Sequence, residues 1–155
     1  MSAAVDRFVE AARAAGLDPD VRRFPEGTKT ALDAAQAIGC DVGQIVKSLI
    51  FMADERAVLA LTSGANRVVE ALLAEAVGAG DVRRATPEEA RAATGFAVGG
   101  TPPFGHVERV RAFCDEALLG YEEVWAAAGT PDAVFPLSPR DLVRISGATI
   151  RTFAG

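Results

Sequence analysis

The chain has one histidine, two cysteines, one tryptophan and one tyrosine among its 155 residues. Each scarcity removes a class of chemistry. Cys40 and Cys114 form neither a CxxC pair nor a disulfide framework. With His106 as the single imidazole, no cluster completes a zinc site, and no metal or other cofactor is expected. Cys114 ends the apolar run that begins at Val110, and Cys40 follows the helix-ending Gly39. Both read as small buried hydrophobes rather than nucleophiles. Long apolar runs are missing too. Ile45 to Met52 is interrupted by Lys47 and falls far short of the ~20 residues that cross a bilayer. Met1 to Glu10 carries acids and no apolar signal core, so the chain reads as cytoplasmic, with no membrane partner. No GxGxxG follows the first strand and no Walker loop is present, which argues against a doubly wound nucleotide-binding fold. An excess of basic charge is also lacking. The net charge of −5 works against bulk affinity for nucleic acid. What remains are local clusters: Arg22, Arg23 and Lys29; Arg83 and Arg84; Arg109 and Arg111.

What is present is ample core material. Half the residues are hydrophobic and 24% are charged, a composition that folds, and residues 1–155 read as one domain. Val5, Phe8, Val9 and Ala12 recur at helical spacing over Ala3 to Ala15, with Gly16 as the stop. Val21 to Phe24 reads as a short strand. Thr30 caps an alanine-rich helix that runs through Ile38. Ile45–Met52 and Ala57–Thr62 flank the polar turn Asp54-Glu55-Arg56 as a hairpin. Asn66 to Val77 reads as a helix burying Val68, Val69, Leu72 and Leu73. Thr86-Pro-Glu-Glu89 is a capping box that opens a short helix to Ala93. Three apolar stretches follow, Val110–Cys114, Glu123–Ala127 and Ala133–Leu137. Ser138 then caps a helix to Ile145, and Ala148–Phe153 is a last strand. Many short strands joined by short turns predict an α+β fold: a mixed, partly barrel-like curled sheet surrounded by helices.

Two segments break local rules. Lys47 lies in a strand whose faces, Ile45/Leu49/Phe51 and Val46/Ser48/Ile50, are both mostly apolar. Its ammonium either reaches water by extending its stem or has its protonation perturbed by apolar neighbours. The second segment, Thr94 to His106, concentrates Gly95, Gly99, Gly100, Pro102, Pro103 and Gly105. Glycines there let backbone N–H groups approach an anionic or carbonyl oxygen, or the stretch is a structural loop plugged by Phe96 and Phe104.

These segments occur in an order that resembles the YbaK/EbsC-type, prolyl-tRNA-synthetase-associated editing-domain family. The matching stretches are Thr30-Ala-Leu-Asp-Ala-Ala35, Gln44-Ile-Val-Lys-Ser-Leu-Ile-Phe51, Thr94-Gly95, Gly99-Gly-Thr-Pro-Pro103-Phe-Gly105-His106, Asp115-Glu-Ala-Leu-Leu119, Ala128-Gly129 and Leu137-Ser-Pro-Arg-Asp-Leu142. The resemblance implies a free-standing trans-editing hydrolase that cleaves, without a metal, the ester joining a small wrong amino acid to tRNA-Pro. It implies aminoacyl-tRNA as partner and a transient contact with a synthetase. Carried over, Lys47 contacts the terminal adenosine or the ester, and Gly99 and Gly100 hold the aminoacyl end. Thr30, Ser48, Thr101, Pro103, Phe104, Gly105, His106, Ala127 and Gly129 form the rest of the implied site. One departure stands out: cysteine-removing relatives carry serine where this chain has Ala127, so Ala, Cys, Ser and Thr all stay open as the amino acid removed. A non-catalytic paralogue that holds aminoacyl-tRNA or a protein partner is the alternative. A hydrolase of small aminoacyl esters unrelated to tRNA is a third.

Overall fold

The computed structural model describes residues 2–25, 28 and 30–155. Helix α1 spans Ala3–Ala14 and starts at Ser2, whose side chain accepts from the Val5 N–H. Its apolar spacing buries Val5, Phe8 and Ala12 completely. Strand β1 is Arg22–Arg23, and helix α2, Ala31–Ile38, is capped by Thr30, whose hydroxyl accepts from Asp33 N. Gly39, at φ +85°, ends α2 in the left-handed region that glycine adopts without a Cβ penalty.

β2, Val46–Ala53, and β3, Arg56–Ser63, form the expected hairpin. Its two turn residues, Asp54 and Glu55, both take positive φ, as a type I′ connection requires. The Asp54 carboxylate accepts from the N–H groups of Gly80 and Asp81, which ties the turn to the next connection. The remaining elements are α3 (Glu70–Val77), β4 (Val82–Arg84), α4 (Pro87–Thr94), β5 (Arg111–Asp115), β6 (Val124–Ala127), β7 (Ala133–Leu137), α5 (Pro139–Ser146) and β8 (Thr149–Arg151). Among the described residues, no helix is long and apolar enough to cross a membrane.

The strands form two sheets, a three-stranded one in the order β1-β7-β6 and a five-stranded one in the order β4-β2-β3-β5-β8. The larger sheet is mixed, since β5 runs parallel to both β3 and β8 while the other pairs are antiparallel. The expected curl takes the form of two sheets that touch at the bridge Ile45–Trp125 and do not close.

Strand alternation sets the layers. Val46, Ile50, Leu59, Leu61, Ala112 and Cys114 join one core with Phe8 and Phe135. Phe51, Val58, Ala60 and Phe113 point the other way, into a second core with Leu73 and Phe153. Phe8 meets Phe135 at 4.6 Å and Phe104 at 5.5 Å between ring centroids, which fixes α1 over the first core. Each buried ring contributes roughly 1.5–3 kcal/mol of transfer free energy.

Three expectations need correction. The helix expected from Asn66 starts only at Glu70. Residues from the far end of the chain claim the preceding backbone: Arg67 N donates to Gly155 O and Val69 N to Phe153 O. Of its four expected apolar positions only Leu73 is fully buried. Val69 and Leu72 are exposed, and Val68 packs against the second core. The final strand is shorter than expected, and β4 appears where the sequence suggested only surface arginines.

The capping box of α4 is present, with Thr86 Oγ1 accepting from Glu89 N and Glu89 Oε1 accepting from Thr86 N. Arg83 adds two bonds of 2.8 Å to the same carboxylate. Those donors hold the Glu89 carboxyl at about 2, below its ordinary 4.5, so its stabilising contribution is present above pH 4.5 and is lost as pH falls toward 2. Glu89→Gln is expected to be less stable than the parent at neutral pH, the difference vanishing as the acid is approached. Urea unfolding across that range measures it.

Candidate active site

β2 positions the site. β4 covers its outer edge only opposite Phe51–Ala53, and Ala85 N donates to the Ile50 carbonyl at 3.1 Å. Backbone groups alternate between the two edges of a strand, so the N–H and C=O of Ser48 face the same edge as those of Ile50, beyond the end of β4. Among the described residues no strand pairs there. The bridge Ile45–Trp125 joins β6 to the residue before β2, and no further main-chain pairing between β2 and β6 follows among the described residues. The gap is a cleft of about 710 Å³, walled by β2 and by Ala126 and Ala127, with Gly99 and Thr101 at one side. Leu32 and Val98, exposed by 57% and 52%, form apolar lips at its border.

Lys47 is half-buried, and its Nζ donates to the main-chain carbonyl of Asn66 at 2.6 Å. Burial pulls its pKa below 10.5, and the neighbouring Arg67 and Arg84 pull it further, while Asp115 pulls it back. Three cations therefore converge on a cleft in a chain of net charge −5. Arg84 also lies over the Phe51 ring, 5.7 Å from its centroid. Ser48, on the opposite face of β2, has its Oγ buried without a hydrogen-bond partner among the described residues. Such a group costs ~1–3 kcal/mol when left unpaired.

The glycine-proline loop divides into two halves. Gly100 N donates to Ala97 O at 3.0 Å and Gly100 O accepts from Gly129 N at 3.0 Å, so its N–H is engaged inside the loop. What Gly100 supplies is close approach: a Cβ there would lie 2.7 Å from Thr130 Cα and 2.8 Å from Gly129 O. Thr101 Oγ1 donates to Ala97 O. Among the described residues, no acceptor faces the N–H of Gly99 or Thr101. The second half packs away from the cleft. Phe104 inserts beside Phe8 and Phe135, and Pro103 is buried. Gly105 runs against Ala11 of α1. His106 donates from Nε2 to Pro102 O at 2.7 Å and meets Phe96 edge-on, and burial lowers its pKa.

Thr30, Lys47, Ser48, Gly99, Thr101 and Ala127 thus line one cleft. Gly100, Pro103, Phe104, Gly105, His106 and Gly129 stand behind it and shape the loop. Cys114 is buried as expected, and burial pushes its thiol up to about 12, whereas Cys40 is half-buried rather than buried, its pKa also raised by burial. Among the described residues of the basic clusters, Arg84 alone borders the cleft: Arg22 pairs with Asp20, Arg23 with Asp132, and Arg83 with Glu55 and Glu89. Lys29 lies outside the described residues. Sequence reasoning missed Asn66, Arg67, Arg84 and Trp125 as cleft residues, and gave Asp115 no role of its own. The available signals for Asp115 were an acid closing an apolar strand and its place in the matching stretch Asp115–Leu119.

The model of the aminoacyl-tRNA editing domain matches residues 25–145. The chain belongs to this YbaK-type editing-domain family. The uncharacterized protein YwhH of Bacillus subtilis (strain 168) is 26% identical over 127 residues, 82% of this chain and 81% of that protein. The proline–tRNA ligase of Nitratidesulfovibrio vulgaris (strain DP4) is 35% identical over 94 residues, 61% of this chain but only 16% of the ligase. A solved structure described as a candidate trans-editing enzyme for prolyl tRNA synthetase superposes with a TM-score of 0.95. It shares 45% identity and covers 100% of this chain and 99% of that one.

Proposed function

We propose that residues 1–155 act as one domain that edits in trans, hydrolysing the ester of a small wrong amino acid on tRNA-Pro. The observation that carries the reading is the Lys47 ammonium held at a cleft that is also lined by Gly99 and Thr101, whose N–H groups have no acceptor among the described residues. Water adds to the ester carbonyl carbon, the carbonyl oxygen gains negative charge, and the bond to the ribose oxygen then breaks. The amino acid leaves as its carboxylate, and the ribose hydroxyl regains a proton. A cation and preset N–H donors stabilise the oxyanion more than the neutral carbonyl. Arg67 and Arg84 add attraction for a phosphate backbone that net charge alone would repel. End-to-end likeness to a structure described for trans editing supports action apart from a ligase.

Small size is the selective principle. Ala126 and Ala127 line the cleft as small residues, the Ala126 methyl packing in the first core, and a pocket of this kind separates substrates by ~1–3 kcal/mol per methylene. Ser48, on the β2 side, has a buried Oγ without a partner among the described residues.

The test charges tRNA-Pro separately with Ala, Cys, Ser, Thr and Pro and follows deacylation. At least one small mischarged species is expected to be hydrolysed well ahead of Pro-tRNA-Pro. No hydrolysis of any of them removes the assignment. Equal turnover of a short aminoacyl-ester mimic removes the tRNA part alone.

A further inference from the structure

Asp115 is 2% exposed and does not line the cleft, yet its carboxylate accepts from Asn66, which does. Its Oδ2 accepts from Ser63 N at 3.1 Å and from Asn66 Nδ2 at 3.0 Å, and its Oδ1 from Ala117 N at 3.0 Å. One carboxylate thus joins the end of β3, the turn that follows it and the start of a short 3₁₀ helix, Glu116–Gly120, which Asp115 caps. Main-chain bonds hold the backbone of that segment, with Gly64 N on Ile45 O, Ala65 N on Ser63 Oγ, Asn66 N on Ser63 O and Arg67 N on Gly155 O, and among the described residues the Asn66 side chain donates to Asp115. Asn66 uses its side chain on Asp115 and its main-chain carbonyl on Lys47 Nζ.

We propose that Asp115 is a positioning residue for the editing site: through Asn66 it fixes where the Lys47 ammonium stands. This rests on the reading of Lys47 as the cation that meets the substrate. The arrangement has a physical logic. A carboxylate in direct contact with Lys47 would orient it but neutralise its charge where the substrate's charge develops. A carbonyl orients the ammonium while leaving it a full cation. The carboxylate, one residue removed, supplies rigidity and a weaker long-range field. Its burial with three N–H donors makes it a firm anchor.

The experiment uses the full chain carrying Lys29→Arg, which leaves Lys47 as the single lysine of the sequence. Its ε-carbon is labelled with ¹³C and its ε-methylene protons are observed by NMR. In this parent the two protons are expected to be inequivalent, the signature of a fixed side chain. In Asn66→Ala and in Asp115→Asn they are expected to merge. The variants' kcat for deacylation is expected to fall about 10- to 100-fold, as displacement of a reacting geometry does, with KM changed less than about threefold. A merely structural role would lower stability without moving the Lys47 signal of the folded variant. If Asp115→Asn does not fold, Asn66→Ala carries the test, because it leaves the carboxylate with its Ser63 and Ala117 donors. Inequivalent protons in the folded variants, or unchanged kcat, overturn the proposal. If the parent itself cleaves no mischarged tRNA, the editing assignment falls, and the NMR signature alone decides whether Asp115 holds Lys47.

Discussion

Lys47→Met is expected to lower kcat/KM for deacylation of mischarged tRNA by about 100- to 1,000-fold, the scale of losing one preset oxyanion-stabilising group. Methionine keeps the length and apolar stem but has no charge, so the change isolates the cation. Fold stability is expected to hold within about 1 kcal/mol, because two effects oppose each other. The Asn66 carbonyl loses its donor. In return, a half-buried ammonium repelled by Arg67 and Arg84 is removed, and its lowered pKa says the folded state disfavours that charge. The pH profile adds an independent check. If protonated Lys47 acts, the parent rate falls as pH rises through a pKa below 10.5, and in Lys47→Met that alkaline limb disappears. Single-turnover deacylation across pH, beside a thermal melt, measures both. A variant as fast as the parent would remove Lys47 from the mechanism.

Gly100→Ala is expected to destabilise the fold by about 1–3 kcal/mol and to cost about 100-fold in rate. The added Cβ meets Thr130 Cα at 2.7 Å, Gly129 O at 2.8 Å and Thr130 C at 2.9 Å, all backbone atoms that no rotamer can move. The loop must lift from the 129–131 segment, stretching the Gly129 N to Gly100 O bond and carrying the N–H groups of Gly99 and Thr101 with it. Gly99→Ala is the control. Its Cβ meets Pro131 Cγ at an ordinary 3.7 Å, so the penalty is the positive φ of +89°, about 1–2 kcal/mol. In urea unfolding and deacylation, Gly100→Ala is therefore expected to be the more damaging. The reverse order would remove close approach as the reason for glycine at position 100.

What the sequence made legible is what local forces decide. The α1 stripe of Val5, Phe8 and Ala12, the Thr86–Glu89 box and the hairpin about Asp54-Glu55 all lie where spacing and turn chemistry placed them. The start of α3 was not legible, because its preceding residues are bonded to residues 153–155 from the other end of the chain. β4 was hidden by its two arginines, whose charges read as surface while their backbone pairs with β2. At the site, Lys47 stood out as a charge inside an apolar strand. Its anchor did not, since Asn66 and Asp115 are 49 residues apart and meet only in the folded chain. The glycine-proline loop was legible as a unit, but its division into a cleft-facing half and a half seated on α1 depends on where Phe104 finds its aromatic neighbours.

The lack of main-chain pairing between β2 and β6 beyond Ile45–Trp125, among the described residues, bears on how such a cleft can change shape. Among the described residues no ladder of main-chain bonds crosses that opening. Ala127 borders it with a small side chain. A larger residue at that position would narrow the cleft while every sheet pairing stays intact. If the cleft takes the proposed substrate, its selectivity can change there without a change of fold.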